Sequence, residues 1–65
     1  MNIVDWTKFG QEMKKAREKK GLLQSDIAKL LDVTPTMVSY IEQGKKKTSI
    51  DNVIKISKLL DVDFF

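Results

Sequence analysis

Thr36, Ser39, Tyr40 and Gln43 stand at i, i+3, i+4 and i+7, the spacing that stacks side chains along one face of a helix. Together they offer three hydroxyls and an amide, with no fixed charge. A face kept only for solubility more often carries Lys and Glu, whereas hydroxyls and amides both donate and accept and can read the edges of bases. Val38 and Ile41 occupy the opposite side of the same segment. Bond-making chemistry has no comparable constellation. The chain contains no cysteine and no histidine, which removes disulfides and the commonest zinc and haem ligands. Asp26, Asp32 and Glu42 fall on a turn and at helix ends with no glycine-rich phosphate loop nearby. Neither an enzyme nor a cofactor is expected.

The remaining charges form blocks. Between residues 8 and 20, Lys8, Lys14, Lys15, Arg17, Lys19 and Lys20 outweigh Glu12 and Glu18, a balance of +4. Residues 45–58 repeat +4, from Lys45, Lys46, Lys47, Lys55 and Lys58 against Asp51. The segment between them, 21–44, carries −2, and the ends add −1 and −2, so that the total is only +3. Two basic flanks around a slightly acidic, hydroxyl-rich centre fit an anionic partner held from the sides and discriminated in the middle.

Those residues need a scaffold, and 65 residues, 42% of them hydrophobic and 32% charged, suffice for one small domain over 1–65. No signal peptide, repeat or membrane span is legible, so a soluble cytoplasmic protein is expected. Apolar recurrence at Trp6, Phe9, Met13 and Ala16, after a cap at Asp5 or Thr7, predicts a helix over about residues 6–20, stopped by Gly21. Ile27, Ala28, Leu30 and Leu31 predict a second over about 24–31. Thr34 before Pro35 is a hydroxyl N-cap followed by a residue whose missing N–H costs nothing at that position, which starts a third helix over about 35–43, ended by Gly44. Ser49 caps a fourth over about 50–60, built on Ile50, Val53, Ile54, Ile56, Leu59 and Leu60. No stretch alternates with period two over strand length. The fold class is all-α.

Gly21 to Lys45 then reads as two short helices joined by a turn of about three residues. Arg17, Gly21, Leu22, Gln24, Ile27, Ala28, Leu31, Val33, Val38, Ile41, Glu42, Gly44 and Lys45 carry a resemblance to the XRE family, the DNA-binding domains of lambdoid phage repressors and Cro. Ser49, Ile50, Val53, Ile56 and Leu60 continue it, so it covers nearly the whole chain. The resemblance implies a compact four- to five-helix, lambda-repressor-like domain whose third helix enters the major groove. Its function would be sequence-specific binding of double-stranded DNA as a transcriptional regulator, a repressor by family habit. A homodimer would sit on a pseudo-palindromic operator, in the cytoplasm of a prokaryote or its phage and in association with the nucleoid.

On that basis Pro35, Thr36, Ser39 and Tyr40 are the expected base-reading residues, with Pro35 limited to van der Waals contact. Gln24, Thr34, Gln43, Lys45, Lys46, Lys47 and Arg17 are the expected phosphate contacts. Arg17 and Glu42 would also form a partly buried ion pair, chiefly architectural. Departures from the family pattern carry expectations too. Leu23 replaces the usual capping side chain of the second helix, which should cost about 1 kcal/mol unless Ser25 takes over. Asp32 replaces a frequent glycine, Thr48 a frequent proline and Ser57 a frequent alanine. The chain ends where a fifth helix would begin, at about 63–65, as a minimal protein or a domain of a longer one would. Phe64 and Phe65 there would be exposed apolar surface for a continuation or a dimer contact. The alternative from another class is an antitoxin-like or other protein-interaction module on the same fold, against which the two lysine flanks argue.

Overall fold

The computed structural model describes residues 5–64, in four helices: α1 Trp6–Lys19, α2 Gln24–Leu31, α3 Pro35–Glu42 and α4 Ile50–Leu60. Local chemistry sets their ends. Asp5 caps α1, its carboxylate accepting from the Lys8 N–H at 3.0 Å. Behind α1, Gly21 adopts φ +71°, and the Leu22 N–H reaches back to the Arg17 carbonyl at 3.1 Å, which closes the helix where a side chain would be strained. Thr34 Oγ1 accepts from the Met37 N–H at 3.2 Å, and Pro35 opens α3 behind it. Ser49 Oγ caps α4 through the Asn52 N–H at 3.1 Å.

Helix α2 starts differently. Leu23 stands at its N-cap and lends no side-chain hydrogen bond, but its own N–H donates to Asp26 Oδ2 at 2.7 Å. Asp26 rather than Ser25 therefore supplies the compensation, as the reach-back half of a capping box. Asp32 leaves α2 at φ 57°, and Val33 N–H bonds the Ala28 carbonyl at 3.0 Å, so the chain turns within Asp32–Thr34 into α3. An aspartate accepts this left-handed backbone more readily than most side chains do.

Phe9, Met13, Ile27, Ala28, Leu31, Val38, Ile41, Val53, Ile56, Leu60 and Phe64 form one core drawn from all four helices and the tail. Helix α3 packs on α1 and α2, and α4 packs on the same two helices. The helix-turn-helix is thus braced from behind by α1, and α3 keeps one face free.

The tail corrects the reading of the terminus. Residues 62–64 are not helical, so no fifth helix starts among the described residues. Phe64 is not exposed: it is 1% accessible, and its ring meets Phe9 edge to face at 5.0 Å between centroids. Trp6 meets the same Phe9 at 5.5 Å. The left-handed Asp61 (φ 56°) turns the chain back, and burying an aromatic against α1 outweighs extending a helix into solvent. Phe65 lies outside the described residues.

Candidate nucleic-acid interface

The outer face of α3 begins at its cap. Thr34, Pro35 and Thr36 are exposed, Ser39 is half-buried and Tyr40 is 40% exposed, while Val38 and Ile41 on the opposite side are buried. Gln43, also exposed, donates from Nε2 to Ser39 Oγ at 2.9 Å. This i, i+4 bond fixes both side chains along the helix, and the Ser39 hydroxyl keeps its own hydrogen to donate. The structure therefore gathers Thr36, Ser39, Tyr40 and Gln43 on one uncharged, hydrogen-bonding surface. Met37 is half-buried against the core, a packing residue.

Beyond α3, Gly44 takes φ +78°, and the Lys45 N–H bonds the Tyr40 carbonyl at 2.9 Å. The backbone of the lysine loop is pinned to the helix end, and Lys45, Lys46 and Lys47 are all exposed beside it. Three ammonium groups next to the uncharged outer face of α3 form a local positive rim.

A buried polar network holds this end of α3 to the other two helices. Arg17 Nε donates to Glu42 Oε2 at 2.7 Å and Nη2 to Oε1 at 3.2 Å, a two-point pairing from α1 to α3. Arg17 Nη1 donates to the Leu22 carbonyl at 2.9 Å, and Gln24 Nε2 donates to Glu42 Oε1 at 3.0 Å. One carboxylate thus gathers α1, the start of α2 and the end of α3. The side chains of Arg17 and Glu42 are 10% and 2% exposed, and no described buried side-chain nitrogen or oxygen lacks a partner. The hydrogen bonds that Arg17 donates to Glu42, opposed by burial and aided by the charges of Glu42 and Glu18, raise the Arg17 pKa above its ordinary value.

This network involves two of the expected phosphate contacts. Arg17 spends three N–H groups on Glu42 and Leu22 and shows little surface, so it sits inside the scaffold. Gln24 is half-buried with one amide N–H on Glu42, which aims the side chain and leaves the second N–H as a donor.

Two glycines prove decisive for geometry, and the sequence reading passed over the first, Gly10. A Cβ on Gly10 would lie 2.4 Å from the Ile41 carbonyl oxygen and 2.6 Å from that of Glu42. Only glycine lets α1 touch the C-terminal backbone of α3. A Cβ on Gly44 would lie 2.7 Å from Thr7 Oγ1. The signal for Gly10 was available: a glycine inside a helix costs roughly 0.5–1 kcal/mol relative to alanine and needs a reason.

A helix-turn-helix family model matches residues 13–65. This chain belongs to the XRE-type helix-turn-helix family. It is similar to the control protein C.BamHI of Bacillus amyloliquefaciens, 40% identical over 55 residues that span 83% of this chain and 68% of that protein. It is also similar to the control protein C.MunI of Mycoplasma sp, 41% identical over 56 residues, 85% of this chain and 76% of that one. Among solved structures it matches the restriction-modification controller protein C.AhdI from Aeromonas hydrophila, with TM-score 0.78 and 33% identity over 92% of this chain and 91% of that one. The chain is a DNA-binding transcriptional regulator of this family. No helix among the described residues is long and apolar enough to cross a membrane.

Proposed function

We propose that the chain is a repressor-type regulator that binds a pseudo-palindromic operator as a homodimer, in the cytoplasm and on the nucleoid. Helix α3 enters the major groove. Pro35, Thr36, Ser39 and Tyr40 meet base edges, and Gln24, Thr34, Gln43, Lys45, Lys46 and Lys47 meet phosphates on either side. Arg17 contributes through Glu42 by holding α3 at its angle to α1, rather than through a phosphate of its own.

The observation that carries the reading is the uncharged, pre-ordered outer face of α3 beside an exposed lysine rim. Fixed charges attract any phosphate backbone, whereas neutral donors and acceptors at fixed positions favour some base pairs over others. Size supports the dimer. The fold measures 26 × 22 × 19 Å, and half-sites one helical turn apart are separated by about 34–36 Å. One copy covers one half-site. Similarity to restriction-modification control proteins makes operators upstream of such genes the first to test.

Selection of bound duplexes from a random pool tests the proposal. It should enrich a two-fold motif with half-sites about one helical turn apart. Failure to enrich any sequence would favour the protein-interaction alternative.

A further inference from the structure

Ser39 and Gln43 are joined twice. The Gln43 backbone N–H, at the end of α3, donates to the Ser39 carbonyl at 3.0 Å, and its side-chain Nε2 donates to Ser39 Oγ at 2.9 Å. The orientation of that amide follows from its neighbours. Lys45, Lys46 and Lys47 come shortly after it and are exposed, and ammonium groups only donate. An amide on this border is best placed with its nitrogen toward the serine hydroxyl, which leaves its carbonyl oxygen for the positive side.

This polarity decides what Ser39 offers. A free serine hydroxyl has one hydrogen to donate and two lone pairs to accept with, so by itself it takes either kind of partner. Once an N–H occupies one lone pair, the oxygen is a weaker acceptor for anything else and the O–H becomes the stronger donor. Base edges in the major groove divide on that property. Guanine shows only acceptors there, N7 and O6, and thymine shows O4, whereas cytosine shows only its N4 amino donor.

We propose that Gln43 is a positioning residue for base selection: by donating to Ser39 Oγ it commits the Ser39 hydroxyl to donate, so that the base edge facing Ser39 is selected for an acceptor and against the cytosine amino group. The proposal rests on the reading of α3 as the major-groove helix. It gives Gln43 a part in discrimination besides its phosphate contact, which the second amide N–H still serves.

Titration of the full chain against the selected operator and its complete set of single base-pair substitutions tests it, with circular dichroism to verify folding of each variant. The wild type should show a position in each half-site where guanine or thymine is preferred to cytosine by about 2- to 12-fold, the net worth of one hydrogen bond, and Ser39→Ala should level it. Gln43→Glu is the deciding variant. A carboxylate there accepts the Ser39 hydrogen and leaves only lone pairs for DNA, so the order at that position should turn to favour cytosine. The added negative charge weakens binding to every duplex alike and does not reorder bases. Gln43→Leu frees the hydroxyl for both roles and should bring the preference close to unity there, while other positions keep theirs. An unchanged order in both Gln43 variants would overturn the proposal and leave Gln43 as a phosphate contact alone. Preferences untouched by Ser39→Ala would overturn it as well, by removing Ser39 from base contact. A wild-type chain that ranks no duplex above another would overturn the reading of α3 itself.

Discussion

At the residue scale, Glu42 is the hinge of the account. It is 5% exposed and receives hydrogen bonds from Arg17 on α1 and Gln24 on α2. Removing either charge alone leaves the other buried without its opposite charge, a loss of about 3–5 kcal/mol, whereas replacing both with apolar groups of similar volume costs far less. Arg17→Met and Glu42→Leu should each destabilise strongly, with the double variant well short of their sum in chemical denaturation. Additive losses would remove the pairing from the account. The pair gives no pH switch in the ordinary range. A raised arginine pKa means that its contribution is complete below the unfolded value and is lost only as pH climbs through the still higher folded one, beyond physiological alkalinity. The pair was legible because the arginine and glutamate are both family positions. The third partner was not, since a side-chain amide 18 residues from Glu42 meets it only after α2 has packed beside α3.

At the scale of elements, punctuation residues made the helices readable and tertiary return made the tail unreadable. Asp5, Gly21, Thr34, Pro35, Gly44 and Ser49 act within a few residues of themselves, so their chemistry shows in the sequence. Phe64 takes its place from Phe9, at the far end of the sequence, so no residue within a few positions of Phe64 signals the contact. Phe64→Ala should cost about 3–5 kcal/mol, which is comparable to the whole stability of a domain this size. A melt followed by circular dichroism should show the variant largely unfolded at 37 °C, and a shift of only a few degrees would place the ring outside the core. Gly10 defines the other element-scale contact. Alanine normally favours a helix interior by up to about 1 kcal/mol over glycine, yet here its methyl group would meet two carbonyl oxygens of α3. Gly10→Ala should therefore destabilise, by roughly 1–3 kcal/mol as overpacking does. A raised melting temperature would show that α1 and α3 have room to part.

For the whole molecule, the +3 total understates the electrostatics, because the basic residues flank the helix-turn-helix and the lysine rim borders the face of α3. Each phosphate neutralised lowers the slope of log affinity against log salt by about 0.9. A wild-type titration should be steeply salt-dependent, and Lys46→Ala should flatten the slope by about one unit while weakening operator and random duplex alike. A slope unchanged by that substitution would free Lys46 from the phosphate rim.

The central claim is a division of labour, in which α3 discriminates and the lysines hold. Its most direct test is the affinity of Tyr40→Ala for the selected operator and for a random duplex at the same salt concentration. The account predicts that preference for the operator falls by about 5- to 150-fold, corresponding to 1–3 kcal/mol of base discrimination, while random-duplex affinity barely changes. Equal losses on both duplexes would contradict it, placing Tyr40 on the backbone and leaving α3 without its reader.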